Sequence, residues 1–146
     1  MPLWKIFHGP GAFDAEQKSA LANDITKLYV AIGLPAFYTN VLFFAVPEES
    51  FYIGGKRVTK FVQISIEQIA RKMPPDEDGR RSWLRSIDEM LAPHLEQRGF
   101  DWEYNILEPS KDLWKFHGIY PPPSGSEAEK KWAVENRPSA YEPSNG

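Results

Sequence analysis

A strand–helix–strand pattern occurs twice in this sequence, and no other feature constrains its fold as strongly. In the first copy, an apolar segment at residues 2–8 precedes an amphipathic helix and a second apolar segment at 39–46. In the second copy, an alternating segment at 58–66 precedes a helix and a further segment at 102–107. Strand–helix–strand units pair their strands in parallel through right-handed crossovers. We therefore expect an α+β protein of two layers, in which two fused βαβ units form one four-stranded sheet with both helices on one face.

Local signals mark the limits of both predicted helices. Asp14 is a favourable N-cap for the first helix, which Gly33 and Pro35 should end. Pro93 should kink or end the second helix, and Gly99 should close the segment after it. The apolar side chains expected on the buried face of the first helix are Leu21, Ile25, Leu28, Tyr29 and Ile32.

The sheet face away from the helices should remain open in a single chain. Depending on the strand register, its apolar side chains would include Phe43, Phe61, and Trp102 or Tyr104. An exposed apolar surface of that size usually marks a contact between proteins. The pattern therefore predicts that several copies of the chain associate.

The composition changes after the second unit. We assign residues 1–123 to one domain, within which residues 1–56 and 57–109 form the pseudo-repeat. Residues 124–146 are polar and rich in proline and serine, which predicts an extended and partly flexible C-terminal arm with a short helix around Trp132.

Charge and residue usage exclude several classes of protein. The net charge is −3 with scattered lysines and arginines, which argues against a nucleic-acid or membrane partner. There are no cysteines, so disulfides, thiolate nucleophiles and cysteine-ligated metals are excluded. His8, His94 and His117 lack metal-ligand spacing, and we expect neither a metal nor a cofactor. No apolar run approaches the roughly 18 residues of a membrane span, and no signal peptide is recognisable, so a cytoplasmic location is expected.

Pro2 is the strongest candidate for chemistry. If Met1 is removed, the new N-terminus is a secondary amine at the start of an apolar strand. An α-amino group has a pKa of roughly 7.7–8.0, and burial lowers the pKa of an amine further. A base of that strength suits proton transfer at carbon near neutral pH.

The sequence resembles the tautomerase superfamily, and within it the cis-3-chloroacrylic acid dehalogenase-like group, especially its fungal members. The resemblance covers about residues 1–123. It is carried by MPLW at residues 1–4, DITK at 24–27, AIGLPAFY at 31–38, YIGG at 52–55, IAR at 69–71, LWK at 113–115, Gly118 and PPP at 121–123.

The resemblance implies particular roles for particular residues. Pro2 would be the catalytic acid or base, and Tyr104 would match a catalytic tyrosine of the last strand. Arg71 would match one of two arginines that bind the substrate carboxylate, while Gln68 stands at the position of the other.

Two departures from the family pattern shape the expected activity. Tyr29 replaces a histidine of the first helix, and Lys115 stands at or near a glutamate that activates water. Tyr29 and Lys115 are therefore candidates for substrate binding. A protonated lysine cannot take a proton from water, although it can bind a carboxylate.

These residues predict a tautomerase that acts on small 2-keto or enol carboxylic acids. One alternative is a hydrolytic dehalogenase, hydratase or decarboxylase of 3-substituted acrylates. Another is a non-catalytic oligomeric protein of the same fold. The open sheet face and the resemblance together predict a homotrimer.

Overall fold

A computed structural model describes residues 1–143 and contains both predicted units. The strands are β1 Pro2–His8, β2 Asn40–Ala45, β3 Tyr52–Ile53, β4 Lys56–Arg57, β5 Phe61–Gln68 and β6 Asp101–Leu107. The α-helices are α1 Ala15–Val30, α2 Glu77–Leu91 and α3 Glu127–Glu135.

Four of these strands form one mixed sheet in the order β2-β1-β5-β6. β1 pairs in parallel with β2, and β5 pairs in parallel with β6, as expected for two crossover units. The units join through antiparallel pairing of β1 with β5, which sets Pro2 opposite Gln68 and His8 opposite Val62. The predicted α+β fold with its fused βαβ units is confirmed. Strands β3 and β4 form a separate small hairpin.

The capping residues of α1 explain where that helix begins and ends. The Asp14 carboxylate accepts from the backbone N–H of Gln17 at 2.8 Å, and the Gln17 side chain accepts from the Asp14 N–H at 2.9 Å. The helix ends at Val30, and Gly33 follows with a φ of +92°. Ile32 therefore lies beyond the helix and is 44% exposed, unlike the predicted buried position.

Similar signals set the limits of α2. The Asp76 carboxylate accepts from the N–H of Gly79 at 2.7 Å, and the helix stops at Leu91, two residues before Pro93. Gly99 adopts a left-handed φ of +77° before β6 begins. Both α1 and α2 pack on the same face of the sheet, where they bury its apolar side chains.

The register corrects part of the predicted open face. Phe43 is in register with the fully buried Ile6, and Tyr104 with the fully buried Ile64. Trp102 likewise pairs with Val62, so all three aromatic side chains face the helices, and their assignment to the open face was wrong. Alternation fixes which residues share a face, but it does not decide which face is covered when both are apolar.

The open face instead carries an apolar patch at β1 and β2. Leu42 and Phe44 are 45% and 41% exposed, and the Phe44 ring stacks on Phe7 with centroids 5.0 Å apart. Leu3 and Phe61 lie on the same side of the sheet as this pair.

The C-terminal segment packs on its own domain. Trp132 of α3 is fully buried against Phe37 and Tyr38, and its indole N–H donates to the Ser139 carbonyl at 2.9 Å. The short helix expected around Trp132 is thus present as α3, docked on the domain. The last three residues of the predicted arm, 144–146, lie outside the described residues. None of the helices within 1–143 combines the length and apolarity needed to cross a membrane.

Candidate active site

A mostly apolar cavity of about 280 Å³ opens at the start of β1. Its walls come from β1, the end of α1, the segment after β5, and α2. The side chains that line it include Met1, Pro2, Tyr29, Gln68, Arg71 and Trp83. The antiparallel pairing of β1 and β5 explains this grouping, because it brings the first residue of one strand beside the last residue of the other.

A hydrogen-bond chain fixes the polar groups of the cavity. The indole N–H of Trp4 donates to the Tyr29 hydroxyl at 3.0 Å, and that hydroxyl donates to the Gln68 amide oxygen at 2.6 Å. The indole N–H of Trp83 donates to the same amide oxygen at 3.0 Å. Burial raises the pKa of Tyr29, although the hydrogen bond from Trp4 opposes this effect. Tyr29 is therefore a neutral, oriented phenol.

Arg71 already holds a carboxylate of its own chain. Its two terminal nitrogens donate to the oxygens of Glu129 at 2.9 and 2.6 Å. Glu129 belongs to α3, is 1% exposed, and also accepts from the backbone N–H of Gly125 at 3.0 Å. This bidentate pairing raises the pKa of Arg71.

Lys111 lies near the same corner of the molecule, and its hydrogen bonds within residues 1–143 go to neutral acceptors. Its ammonium donates to the Pro122 carbonyl at 3.0 Å and to the Ser124 hydroxyl at 3.4 Å. Burial lowers the pKa of Lys111, Glu129 opposes this effect, and the positive charge of Arg71 adds to the lowering.

The environment of the chain start favours a neutral amine. Burial, as the largest cause, and the charges of Lys111 and Arg71 together lower the pKa of the Met1 amine to about 3, while Glu129 opposes them. The Met1 carbonyl accepts from the N–H of Ile69 at 3.0 Å, which holds the first residue against the segment after β5.

Within one chain, two of the predicted site residues lie away from this cavity. Tyr104 donates to the Asp88 carboxylate at 2.6 Å, and burial, together with that carboxylate, raises its pKa. The Lys115 ammonium lies 4.5 Å from the centre of the Tyr120 ring. Lys115 and Met1 line a second cavity. The structure therefore groups Pro2, Tyr29 and Arg71 around the cavity.

Reasoning from the sequence missed Trp83, Lys111 and Glu129. The pattern Ser126-x-x-Glu129 predicts a capping box at the start of α3. The Ser126 hydroxyl does accept from the Glu129 N–H at 3.2 Å, but the Glu129 carboxylate binds Arg71 instead of completing the box. Within residues 1–143, no cluster of three or more histidine and acidic side chains could hold a metal ion.

Comparison with family models gives one match that spans most of the chain. The model for a family described as a putative oxalocrotonate tautomerase enzyme matches residues 1–137. A search of curated protein sequences gave no match.

Solved structures include two that are similar over nearly the whole chain. A probable enzyme from the thermophilic fungus Aspergillus fumigatus is 45% identical, with 97% of this chain and 98% of that chain covered and a TM-score of 0.91. Native RhCC from Rhodococcus jostii RHA1 is 43% identical, with 95% and 99% covered and a TM-score of 0.92. A member of the cis-3-chloroacrylic acid dehalogenase family is 19% identical, with 91% and 96% covered and a TM-score of 0.67, which shows a shared fold.

Proposed function

Because this chain belongs to the family described as a putative oxalocrotonate tautomerase enzyme, we propose that it is a tautomerase whose base is the Pro2 amine. The substrates would be small 2-keto or enol carboxylic acids. The observation that carries the proposal is the apolar cavity at Pro2, where burial already lowers the pKa of the Met1 amine that precedes it.

The reaction needs a single group that accepts and returns a proton. The neutral Pro2 amine takes the proton from the enol oxygen, and the C–O bond becomes a carbonyl. The neighbouring carbon, which gains the electron pair of the C=C bond, then takes the proton back from the prolinium. No proton is gained or lost overall, so no second reactant is required.

Removal of Met1 would also uncover a hydrogen-bond donor. The N–H of Ile69 donates to the Met1 carbonyl, which disappears with that residue. The freed N–H would then lie beside the Pro2 nitrogen. It could donate to the oxygen on which negative charge develops during the reaction, and such fixed donors stabilise transition states strongly.

The remaining cavity groups would orient the substrate. Tyr29 presents a neutral hydroxyl held by Trp4 and Gln68, while Arg71 lines one edge as the partner of Glu129. The apolar part of a small substrate would fit the apolar walls.

We extend the proposal to a homotrimer, in which other copies cover the patch of Phe7, Leu42 and Phe44. A fused 4-OT protein with the same fold forms an asymmetric trimer. Tyr104 and Lys115 would then act at the Pro2 cavity of a neighbouring subunit, or, for Lys115, through the space that Met1 vacates. Sedimentation of a monomer would contradict this extension.

Hydrolytic alternatives need a carboxylate that takes a proton from water. Glu129 comes close to the cavity, but Arg71 holds both of its oxygens. This pairing favours proton transfer at carbon over dehalogenation or hydration.

The direct test combines mass spectrometry of the N-terminus with an assay of phenylenolpyruvate ketonisation. We expect protein that lacks Met1 to be active, and Pro2→Ala to lower kcat/KM by roughly 10²–10⁴-fold, the range of general acid–base catalysis. The proposal is wrong if Pro2→Ala retains full activity, or if protein with intact Met1 is as active as processed protein. Circular dichroism of the variant controls for folding.

A further inference from the structure

Arg71, Lys72 and Lys111 line the Pro2 cavity or the cavity beside it, and Arg71 and Lys111 differ in what already binds them. Both terminal nitrogens of Arg71 donate to Glu129, whereas the ammonium of Lys111 donates to the neutral oxygens of Pro122 and Ser124. The charge of Arg71 is therefore balanced by a direct ion pair, whereas the hydrogen bonds of Lys111 within residues 1–143 go to neutral groups.

We propose that Lys111 receives the carboxylate of the substrate, and that Glu129 determines this choice because it occupies Arg71. The assignment rests on the proposed function for the nature of the substrate. It differs from the sequence prediction, in which Arg71 itself binds the carboxylate.

The burial of Glu129 makes its exchange for a substrate carboxylate unfavourable. Glu129 is 1% exposed, and its carboxylate accepts hydrogen bonds from the Arg71 guanidinium and the N–H of Gly125. A substrate that took Arg71 would leave Glu129 charged, buried and without its main partner, which is strongly destabilising. The bidentate pair therefore persists when the substrate enters.

Lys111 and Arg71 both line a cavity next to the Pro2 cavity, but the ammonium of Lys111 is not held there by a carboxylate of the described chain. This second cavity, of about 720 Å³, shares the wall formed by residues 68–72 with the Pro2 cavity. The Ser124 hydroxyl that accepts from Lys111 donates in turn to the Ala70 carbonyl at 2.9 Å, which anchors the lysine against that wall. The apolar part of a 2-keto acid would then occupy the Pro2 cavity, with its carboxylate at Lys111.

The charge of Lys111 also acts on the chain start. After burial, it is the largest contribution that lowers the pKa of the Met1 amine, ahead of Arg71. Loss of this charge should raise the pKa of the amine that remains after processing, because a neighbouring cation disfavours the protonated form.

Binding can be measured without turnover in the Pro2→Ala background, by calorimetry with phenylpyruvate and its neutral methyl ester. We expect Lys111→Met to weaken phenylpyruvate binding by about tenfold or more, as for a lost charged hydrogen bond, and to leave ester binding unchanged. Lys111→Arg should restore most of the affinity. Glu129→Gln should tighten phenylpyruvate binding, because it releases the charge of Arg71.

Two further lysines make the test specific. Lys130→Met removes an exposed charge from α3 beside Glu129 and should leave binding unchanged. The assignment is overturned if Lys111→Met leaves phenylpyruvate binding unchanged, if it weakens ester binding equally, or if Lys72→Met causes as large a loss.

The pH profile of processed protein with native Pro2 gives an independent readout. Activity falls at low pH as the amine becomes protonated, so a higher amine pKa moves the acidic limb of kcat/KM to higher pH. We expect this shift in Lys111→Met and the opposite shift in Glu129→Gln, because Glu129 raises the amine pKa. If the acidic limb of the kcat/KM profile stays at the same pH in both variants, the proposal is contradicted.

The two proposals fail in different ways. If Pro2→Ala retains full turnover while phenylpyruvate binding depends on Lys111, the proposed function is wrong and the role of Lys111 stands. If turnover needs Pro2 but phenylpyruvate binding does not depend on Lys111, only the proposed role of Lys111 is wrong.

Discussion

The two ends of the β1–β5 pair occupy equivalent places in the pseudo-repeat, yet only one of them is built as a site. Antiparallel pairing places Pro2 opposite Gln68 at one end, and His8 opposite Val62 at the other. A cavity opens at the first end. At the second end, side chains from three segments fill the corresponding space.

Aromatic rings and a cation fill the second end. Phe13 packs edge-on against His8 at 5.2 Å and stacks near Phe100 at 6.1 Å. The Arg98 guanidinium lies 5.2 and 5.1 Å from these two phenylalanine rings and donates to the Ala12 carbonyl at 2.6 Å. The backbone thus offers two similar corners, and side-chain volume decides which corner can admit a ligand.

The largest effect on stability should come from opening the filled end. Phe13 is 6% exposed, so Phe13→Ala should lower the free energy of unfolding by about 3–5 kcal/mol through lost contacts and a new cavity. Urea denaturation measures this cost, and ketonisation in the absence of urea should persist as long as the variant is folded. A cost below about 1 kcal/mol would mean that the second end is not a packed core.

A smaller effect should come from the hydrogen-bond chain at the open end. Tyr29→Phe leaves the buried Trp4 N–H without its acceptor, and should cost about 1–3 kcal/mol. Tyr38→Phe is the matched control. Tyr38 is also fully buried, but its hydroxyl has no hydrogen-bond partner within the described chain, so its removal should be neutral or stabilising. An equal loss of unfolding free energy in both variants would contradict the stabilising role of the hydrogen bonds made by Tyr29.

The smallest effect is expected at the rim of the filled end. Lys60 is exposed, and its ammonium lies 5.6 Å from the centre of the Phe100 ring. Lys60→Met should cost at most about 1 kcal/mol and leave ketonisation unchanged. A loss of activity in this variant would show that the two ends are functionally coupled.

Most of the fold could be predicted because its signals are local. Asp14, Pro93 and Gly99 act on the backbone within a few residues, and the limits they indicate agree with α1, α2 and the start of β6. The covered face of the sheet could not be predicted in the same way. β2 is apolar on both faces, so alternation alone left Phe43 on the wrong side.

The candidate site was harder to predict because its contacts are distant in sequence. Pro2 is suggested by its position, and Tyr29 by the helical repeat, but Arg71 meets Glu129 across 58 residues. The Ser126-x-x-Glu129 pattern is typical of a capping box, so it carries no signal of the longer contact. Lys111 had no local signal, and the structure draws attention to it only through its place beside the N-terminus.

The hydrogen bond between Met1 and Ile69 implies that Met1 must be removed before the chain finishes folding. Once residues 61–68 have left the ribosome and paired with β1, the Met1–Pro2 peptide bond is packed against the segment that follows β5. On the proposed mechanism, an aminopeptidase must therefore cleave the nascent chain before that pairing forms. Molecules that fold with Met1 in place would be correctly folded and permanently inactive. The specific activity of a preparation would therefore measure the fraction of molecules that lost Met1 before folding.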